Sequence, residues 1–463
     1  MTERMSGSDA VLFHMEDADT PVHTLKVVIL DTSRLGRPVS LDDLAFAVGT
    51  RLGLVPRATQ KVVAARGFGG RPFWVDDPDF DLRRHFDERT VAAPGDTAQL
   101  AAVYSALASE FLPRDRPLWA MTLVHGLEGG RQAVVVRIHH AIADGLGALH
   151  TFLAASTEEP GAEVPVAPAR VGAEPTGAWL TGAAAADAAR TWRALPGLVR
   201  RLTHARERGR TYKGHDDIPR FLTFGRTSLN AASGPARVCA TGSLDLATVR
   251  AIGKATDTTV NGVLHSVIAG ALRAELGARG EEVSEPTIAS FGIATDRADT
   301  DRLYGNFVTP TFVQLRTDVA DPRDRLEATA RSCRVAVEAR REAGLGLTDE
   351  LTARAPRFLN TFRRVAARRT TLNPAQVVTA NVAGPQQPRW FGDIEVVDWF
   401  SFAIAMLPAC INLTVHSYAG RMNVGIVADP AALADPSVLV QRMNDELHVL
   451  ASTILAEPAV GVA

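Results

Sequence analysis

The sequence predicts a layered α/β (α+β) fold built from two halves with mixed sheets. Three observations predict it. Strand-like and helix-like stretches alternate through the first 155 residues. The composition then shifts to Pro, Ala and Gly from Ser156 onward. A second alternating set begins near Arg226. Such alternation is the pattern of helices layered on sheets.

Each element has its own signal. Leu25, Val27 and Ile29 alternate as a strand does. Ser40-Leu41-Asp42-Asp43 is a capped helix start, with Leu44, Ala45, Val48 and Leu52 on one face. Phe73-Trp74-Val75 is a short strand before the acidic turn Asp76-Asp77-Pro78-Asp79. Leu100, Val103, Leu107 and Phe111 form a helical stripe. Met121 to Val124 is a strand, and the Gly-rich turn Glu128-Gly129-Gly130-Arg131 leads into the apolar run Ala133 to Val136. The stretch to Thr176 reads as a linker or exposed excursion. Ala183 to Arg210 reads as helical and basic, with a break expected at Pro196-Gly197. In the second half, Val260, Val263, Leu264, Val267, Ile268, Ala271 and Leu272 give a strong helical stripe. Phe307 to Leu315 is a strand, and Leu413 to Val427 a hairpin around Tyr418-Ala419-Gly420-Arg421. The expected division is 1–155, a crossing segment 156–225, and 226–463.

The stretch that suggests chemistry is Arg137-Ile138-His139-His140-Ala141-Ile142-Ala143-Asp144-Gly145. Leu146, Leu149, Phe152 and Leu153 follow at helical spacing. Two histidines therefore stand where a buried strand ends and a helix begins, a place where reactive groups are held by a rigid scaffold. Histidine, with an ordinary pKa near 6.5, can take a proton from an alcohol at neutral pH. We read His140 as the general base. His139 either orients its neighbour or packs. Asp144 caps the next helix or pairs with a buried arginine, and Gly145 lets backbone pass close behind. No third ligand at a recognised metal spacing accompanies the histidines, so no metal is expected. The lone histidines His150, His265 and His416 lie on apolar stretches and read as structural.

Composition narrows the field. The chain has 463 residues, 46% of them hydrophobic and 22% charged, with a formal net charge of −2. That balance gives no argument for nucleic acid. Three distant cysteines, Cys239, Cys333 and Cys410, fit a reduced, cytoplasmic setting. The acidic start, with Glu3, Asp9, Glu16, Asp17 and Asp19, is unlike a signal peptide, and no apolar run is long enough to span a bilayer. Phosphate-loop, nucleophile-elbow and dinucleotide motifs are missing from the sequence.

The residues resemble a family, the bacterial wax ester synthase/diacylglycerol acyltransferases, within the CoA-dependent acyltransferases that share a His-His-x-x-x-Asp-Gly motif. The resemblance runs along nearly the whole chain: Ser8-Asp9-Ala10, Pro21-Val22-His23, Trp74 to Asp81, Arg116-Pro117-Leu118-Trp119, Thr259 to Gly262, Gly305-Asn306, Asn381 to Pro385, and Ser417-Tyr418 with Gly420-Arg421. It implies two chloramphenicol-acetyltransferase-like αβ sandwich domains with the active site in a tunnel between them. It implies an acyl-CoA co-substrate, no bound cofactor, and a lipid alcohol as acceptor, giving triacylglycerol or wax ester. His140 carries the family's base role and Asp144 its structural role, and Asn261 matches a position near the reacting groups. Asn261 also falls in a predicted first helical turn, suited to an oxyanion or to capping alone. Gly262 replaces the family's usual Asp, and Ala383 its usual Pro.

Two further readings stay open on the sequence. One is condensation-type transfer from a carrier-bound donor to a specialised hydroxyl or amine. The other is a non-catalytic lipid-surface protein. Phe358, Leu359, Phe362, Val365 and Ala366, interspersed with arginines, read equally as a membrane-surface helix or an ordinary surface helix, as does Leu180 to Arg210. A lipid substrate favours peripheral contact with the inner membrane face or lipid droplets.

Overall fold

Among the described residues two six-stranded mixed sheets carry the chain, with a three-stranded sheet at the N-terminal side. The computed structural model describes residues 2–64, 71–169, 172–219, 227–295, 301–345, 347 and 375–456. The stripe from Phe358 to Arg369 lies outside the described residues.

The first half comprises β1 (Glu3–Arg4), α1 (Gly7–Met15), β2 (His23–Asp31), α2 (Leu41–Gly49), β3 (Gln60–Val63), β4 (Phe73–Asp76), β5 (Phe86–Thr90), α3 (Thr97–Ser109), β6 (Trp119–His125), β7 (Gln132–His139) and α4 (Gly145–Ala155). The long α5 (Gly177–Arg208) crosses to the second half. There follow β8 (Val238–Asp245), α6 (Leu246–Ala255), α7 (Val260–Ala278), β9 (Thr287–Ala294), β10 (Val308–Leu315) and α8 (Pro322–Glu342). The chain continues through β11 (Val377–Val382), β12 (Arg389–Phe391), β13 (Ile394–Phe402), β14 (Ile411–Tyr418), β15 (Arg421–Ala428) and α9 (Pro436–Leu455).

Sheet membership does not follow chain order. The first large sheet runs β12-β13-β2-β7-β6-β5, so a hairpin from late in the sequence completes the early sheet. The second runs β10-β9-β11-β14-β15-β8. In the first sheet β5 and β6 are parallel, and in the second β11 runs parallel to both β9 and β14; the other pairs are antiparallel. The hairpin β14–β15 turns on Ala419 and Gly420, both at positive φ, as a two-residue type I′ turn requires.

Strand alternation divides the first sheet's two faces. Leu25 and Val27 of β2 pack with Leu100, Tyr104 and Leu107 of α3. Val28 and Leu30 pack with Leu149 and Phe152 of α4, and with Trp399 and Tyr418. The second sheet carries the largest apolar core, beneath α6, α7, α8 and α9. Helix α7 is buried over most of its length.

Two local expectations need correction. Helix α5 does not break at Pro196-Gly197; it runs unbroken from Gly177 to Arg208. Proline removes the bond to the carbonyl of Trp192, one turn back, and Trp192 is 73% exposed, so water can take over that carbonyl. Phe111 is not part of the α3 stripe, because the helix ends at Ser109.

Candidate active site

The histidines stand at the end of β7, as the run of β-branched residues before them implies. His139 is the last strand residue and pairs across to His23 of β2. The His140 amide donates to the Val22 carbonyl at 2.9 Å, one step past the ladder. The chain then turns through Ala141 to Ala143 into α4, and Asp144 caps that helix by accepting from the Gly147 amide at 3.0 Å.

Asp144 fills both roles that the sequence left open. Its second oxygen accepts from Arg302 Nη2 at 2.6 Å and from the Phe307 amide at 3.0 Å. The Asp144 side chain is 3% exposed and that of Arg302 11%, so the carboxylate fastens the motif loop to the 302–307 segment of the second half. Backbone bonds reinforce the seam. Gly305 donates to the Ile142 carbonyl at 2.6 Å, and the Asp144 amide donates to the Gly305 carbonyl at 3.2 Å. Gly305 has φ +85°, and a Cβ there would lie 2.9 Å from the Phe307 ring.

That seam delivers Asn306, which the sequence showed as part of a Gly-Asn element without linking it to the histidines. A separation of 166 residues hid the relation. Asn306 Oδ1 lies 3.0 Å from His140 Nδ1. The Asn306 amide nitrogen donates to Asp9 Oδ1 at 2.8 Å and to the His140 carbonyl at 2.7 Å. Those two bonds fix which end of the amide is oxygen. The oxygen can only accept, so His140 carries its proton on Nδ1 and presents the bare Nε2 lone pair. Burial is the largest influence on the His140 imidazole and pushes it below its ordinary value. Its own backbone carbonyl, Asp144 and Asn306 oppose that shift, while the charge of Lys26 adds to it.

His139 behaves differently. It is fully buried, and its Nδ1 accepts from the Ala141 amide at 3.1 Å. Burial, with the charge of Arg114 behind it, holds the ring well below the ordinary histidine range. Its Nε2 stands 3.6 Å from Glu16, but a neutral ring makes that approach a weak contact rather than an ion pair. At Gly145 a Cβ would lie 3.1 Å from the Val382 side chain, and among the described residues no backbone of another element passes within 4 Å of that point.

Asn261 lies on α7, in the first turn after the Thr259 cap, and is exposed. Asn381 donates to its Oδ1 at 2.7 Å. His265, one turn on, donates from Nδ1 to the Asn261 carbonyl at 2.7 Å and accepts on Nε2 from the Thr379 hydroxyl at 2.9 Å. Asn381 adjoins Val382, the residue against Gly145, so α7 and the motif loop meet through the end of β11. Gly262 packs tightly: a Cβ there would lie 2.6 Å from Thr258 and 3.2 Å from Ala330 of α8.

Residues 5–264 match the wax ester synthase/diacylglycerol acyltransferase catalytic domain, and residues 304–451 match the C-terminal domain of the same family. The chain belongs to this family. It is therefore an acyltransferase of the wax ester synthase/diacylglycerol acyltransferase type. Two Mycobacterium tuberculosis relatives, provisionally named diacylglycerol O-acyltransferases, are each 30% identical. One alignment covers 93% of both chains; the other covers 95% of this chain and 94% of the relative. Among solved structures, the wax ester synthase/diacylglycerol acyltransferase of Marinobacter aquaeolei VT8 superposes with a TM-score of 0.70 at 21% identity, covering 98% of this chain and 100% of that one. The first condensation domain of the calcium-dependent antibiotic synthetase has a TM-score of 0.60 at 15% identity, covering 100% and 98%. The family's fold is thus shared with condensation domains.

Proposed function

We propose that this acyltransferase esterifies a lipid alcohol directly from acyl-CoA, with His140 as general base. The observation that carries the reading is the Nδ1–H bond to Asn306, which leaves Nε2 free to accept a proton. The alcohol's proton passes to His140 Nε2 as its oxygen forms a bond to the thioester carbonyl carbon. The tetrahedral intermediate then collapses, the C–S bond breaks, and the thiolate of CoA takes the proton back from Nε2. A thioester is already activated, so no covalent enzyme intermediate is needed.

Asn261 is the group we assign to the developing oxyanion. Its carbonyl oxygen is occupied by Asn381, which leaves its side-chain N–H2 as the donor at a helix start. His139, Asp144 and Gly145 act as supports in this reading: they fix the loop that aims His140. Diacylglycerol or a long-chain alcohol is the acceptor class.

Contact with a lipid surface belongs to the same proposal. Trp179 and Trp192 of α5 are 50% and 73% exposed, among the exposed arginines Arg190, Arg193, Arg200 and Arg201. Exposed indole beside cationic side chains suits an anionic interface. Among the described residues no helix is long and apolar enough to cross a membrane.

The test is thiol release from palmitoyl-CoA with dioleoylglycerol or hexadecanol, using wild type and His140→Ala. Release that needs an acceptor and falls by about 10²–10⁴ in the variant supports the reading. No release from folded wild type with either acceptor overturns it, and a carrier-bound donor becomes the next substrate to try.

A further inference from the structure

Lys26 is a buried cation in the middle of β2, opposite Val136 on one side and Ser401 on the other. Alternation puts it on the α4 face of the sheet, with Val28 and Leu30. Its ammonium donates to the Ser401 hydroxyl. Among the described residues it forms no ion pair. Burial lowers the pKa of its ammonium to about 8 and the charge of Asp144 only partly opposes that, while the oxygens of Asp144 already serve Gly147, Arg302 and Phe307. An ammonium carries three N–H donors, so a buried one with a single acceptor has capacity to spare.

His416 lies on β14 of the second sheet, paired with Val382 of β11 and Asn423 of β15. It is 1% exposed, its ring lies 4.8 Å from that of Trp399, and among the described residues neither ring nitrogen has a partner. The charge of Lys26 reaches both His416 and His140. His416 is held neutral, chiefly by burial, so it offers one N–H and one lone pair. Read alone in the sequence it was a structural histidine. In place, it is a residue of the second sheet whose ring packs on Trp399, two residues before Ser401 on β13, and Trp399 stacks on Phe152 of α4, on the face of the first sheet that carries Lys26. Buried donors left unmatched are costly, and a cluster of them beside a reactive group points to a ligand.

We infer that Lys26, Ser401 and His416 form a subsite for a second oxygen function of the acceptor, the acyl-ester carbonyl of a partial glyceride. The inference rests on the acyl-transfer reading above and narrows its acceptor. The ammonium and the imidazole N–H both donate, and a carbonyl oxygen accepts two such bonds. A simple fatty alcohol has nothing to place there, so the subsite favours a glyceride over a fatty alcohol.

The experiment measures steady-state kinetics of the full chain with palmitoyl-CoA as donor and dioleoylglycerol or hexadecanol as acceptor. Lys26→Met keeps the length of the side chain and removes its donors; His416→Phe and Ser401→Ala make the same test should Lys26→Met fail to fold. The expected result is a KM for dioleoylglycerol raised about tenfold or more, the size of one lost charged hydrogen bond, with the KM for palmitoyl-CoA within about twofold. The ratio of kcat/KM for dioleoylglycerol to that for hexadecanol should fall by the same factor. Wild type that uses both acceptors, with that ratio unchanged in the folded variants, overturns the subsite alone. Wild type that uses only hexadecanol also overturns it. If wild type uses only dioleoylglycerol, a fall in kcat with KM unchanged does so. Wild type inactive on both overturns the acyl-transfer reading and this one with it.

Discussion

His140 Nδ1 and Asn306 Oδ1 lie 3.0 Å apart, and the other end of the Asn306 amide is tied to Asp9 and to the carbonyl of His140 itself. Asp9 also accepts from the Asn306 backbone amide at 3.1 Å. Asn306 thus fixes both the tautomer and the ring angle of the proposed base. Asn306→Ala should lower kcat by about 10–100-fold, as loss of a partner that orients a histidine does elsewhere. The KM for palmitoyl-CoA should change little, because the residue holds His140 rather than substrate. A kcat within twofold of wild type would show that His140 orients itself.

The pH dependence has a definite sign. Burial depresses His140 below 6.5, so at pH 7 the ring is neutral and can accept a proton. As pH falls through the depressed value the ring protonates and kcat/KM declines. The acidic limb of the kcat/KM profile should therefore have its midpoint below 6.5. Asn306 pulls the other way by favouring the protonated ring, so Asn306→Ala should move that limb to still lower pH. An acidic midpoint above 6.5 would assign the limb to another group.

How much of this was legible beforehand depended on distance along the chain. The strand-to-helix placement of His139 and His140 was readable because periodicity and capping are local: β7 ends at His139 and Asp144 caps α4. That Asp144 would either cap or pair was readable too. Its partner Arg302, and Asn306 beside it, were not, because no spacing rule links residue 140 to a segment more than 150 residues away. The late hairpin that completes the early sheet was hidden for a similar reason. Strand alternation tells which face a residue takes, not which sheet receives the strand. The unbroken α5 shows a third limit, since proline's effect depends on whether water can reach the freed carbonyl.

The pair Asp144 and Arg302 should matter more for folding than its single bond suggests. Their side chains are 3% and 11% exposed, so removing either takes a charged partner away from a buried group. Asp144→Ala should cost about 3–5 kcal/mol in urea unfolding, typical of breaking a buried pair. Asp144→Asn keeps an acceptor for the Gly147 amide and should cost less. Adding Arg302→Met to Asp144→Asn should recover part of the loss, because a buried guanidinium that has lost its carboxylate costs more than a methionine of similar length. Equal losses in the single and double variants would show that the guanidinium left behind carries none of the penalty.

Gly262 stands where the sequence resemblance expects an aspartate, and close packing surrounds it. It sits at the third position of α7, where the Thr259 hydroxyl accepts its amide hydrogen bond at 3.1 Å. A Cβ there would lie 2.6 Å from the Thr258 methyl, which would have to shift, and 3.2 Å from Ala330 of α8, a tight contact. Restoring the family's aspartate should therefore harm this chain rather than improve it. Gly262→Asp should lower stability by about 1–3 kcal/mol, the range for overpacking a filled site, without raising kcat. Gly262→Ala separates bulk from charge. If it destabilises nearly as much, crowding is the cause. If Gly262→Ala is neutral and Gly262→Asp raises turnover, the missing carboxylate was limiting the reaction, and the close packing of α7 on α8 is no barrier to it.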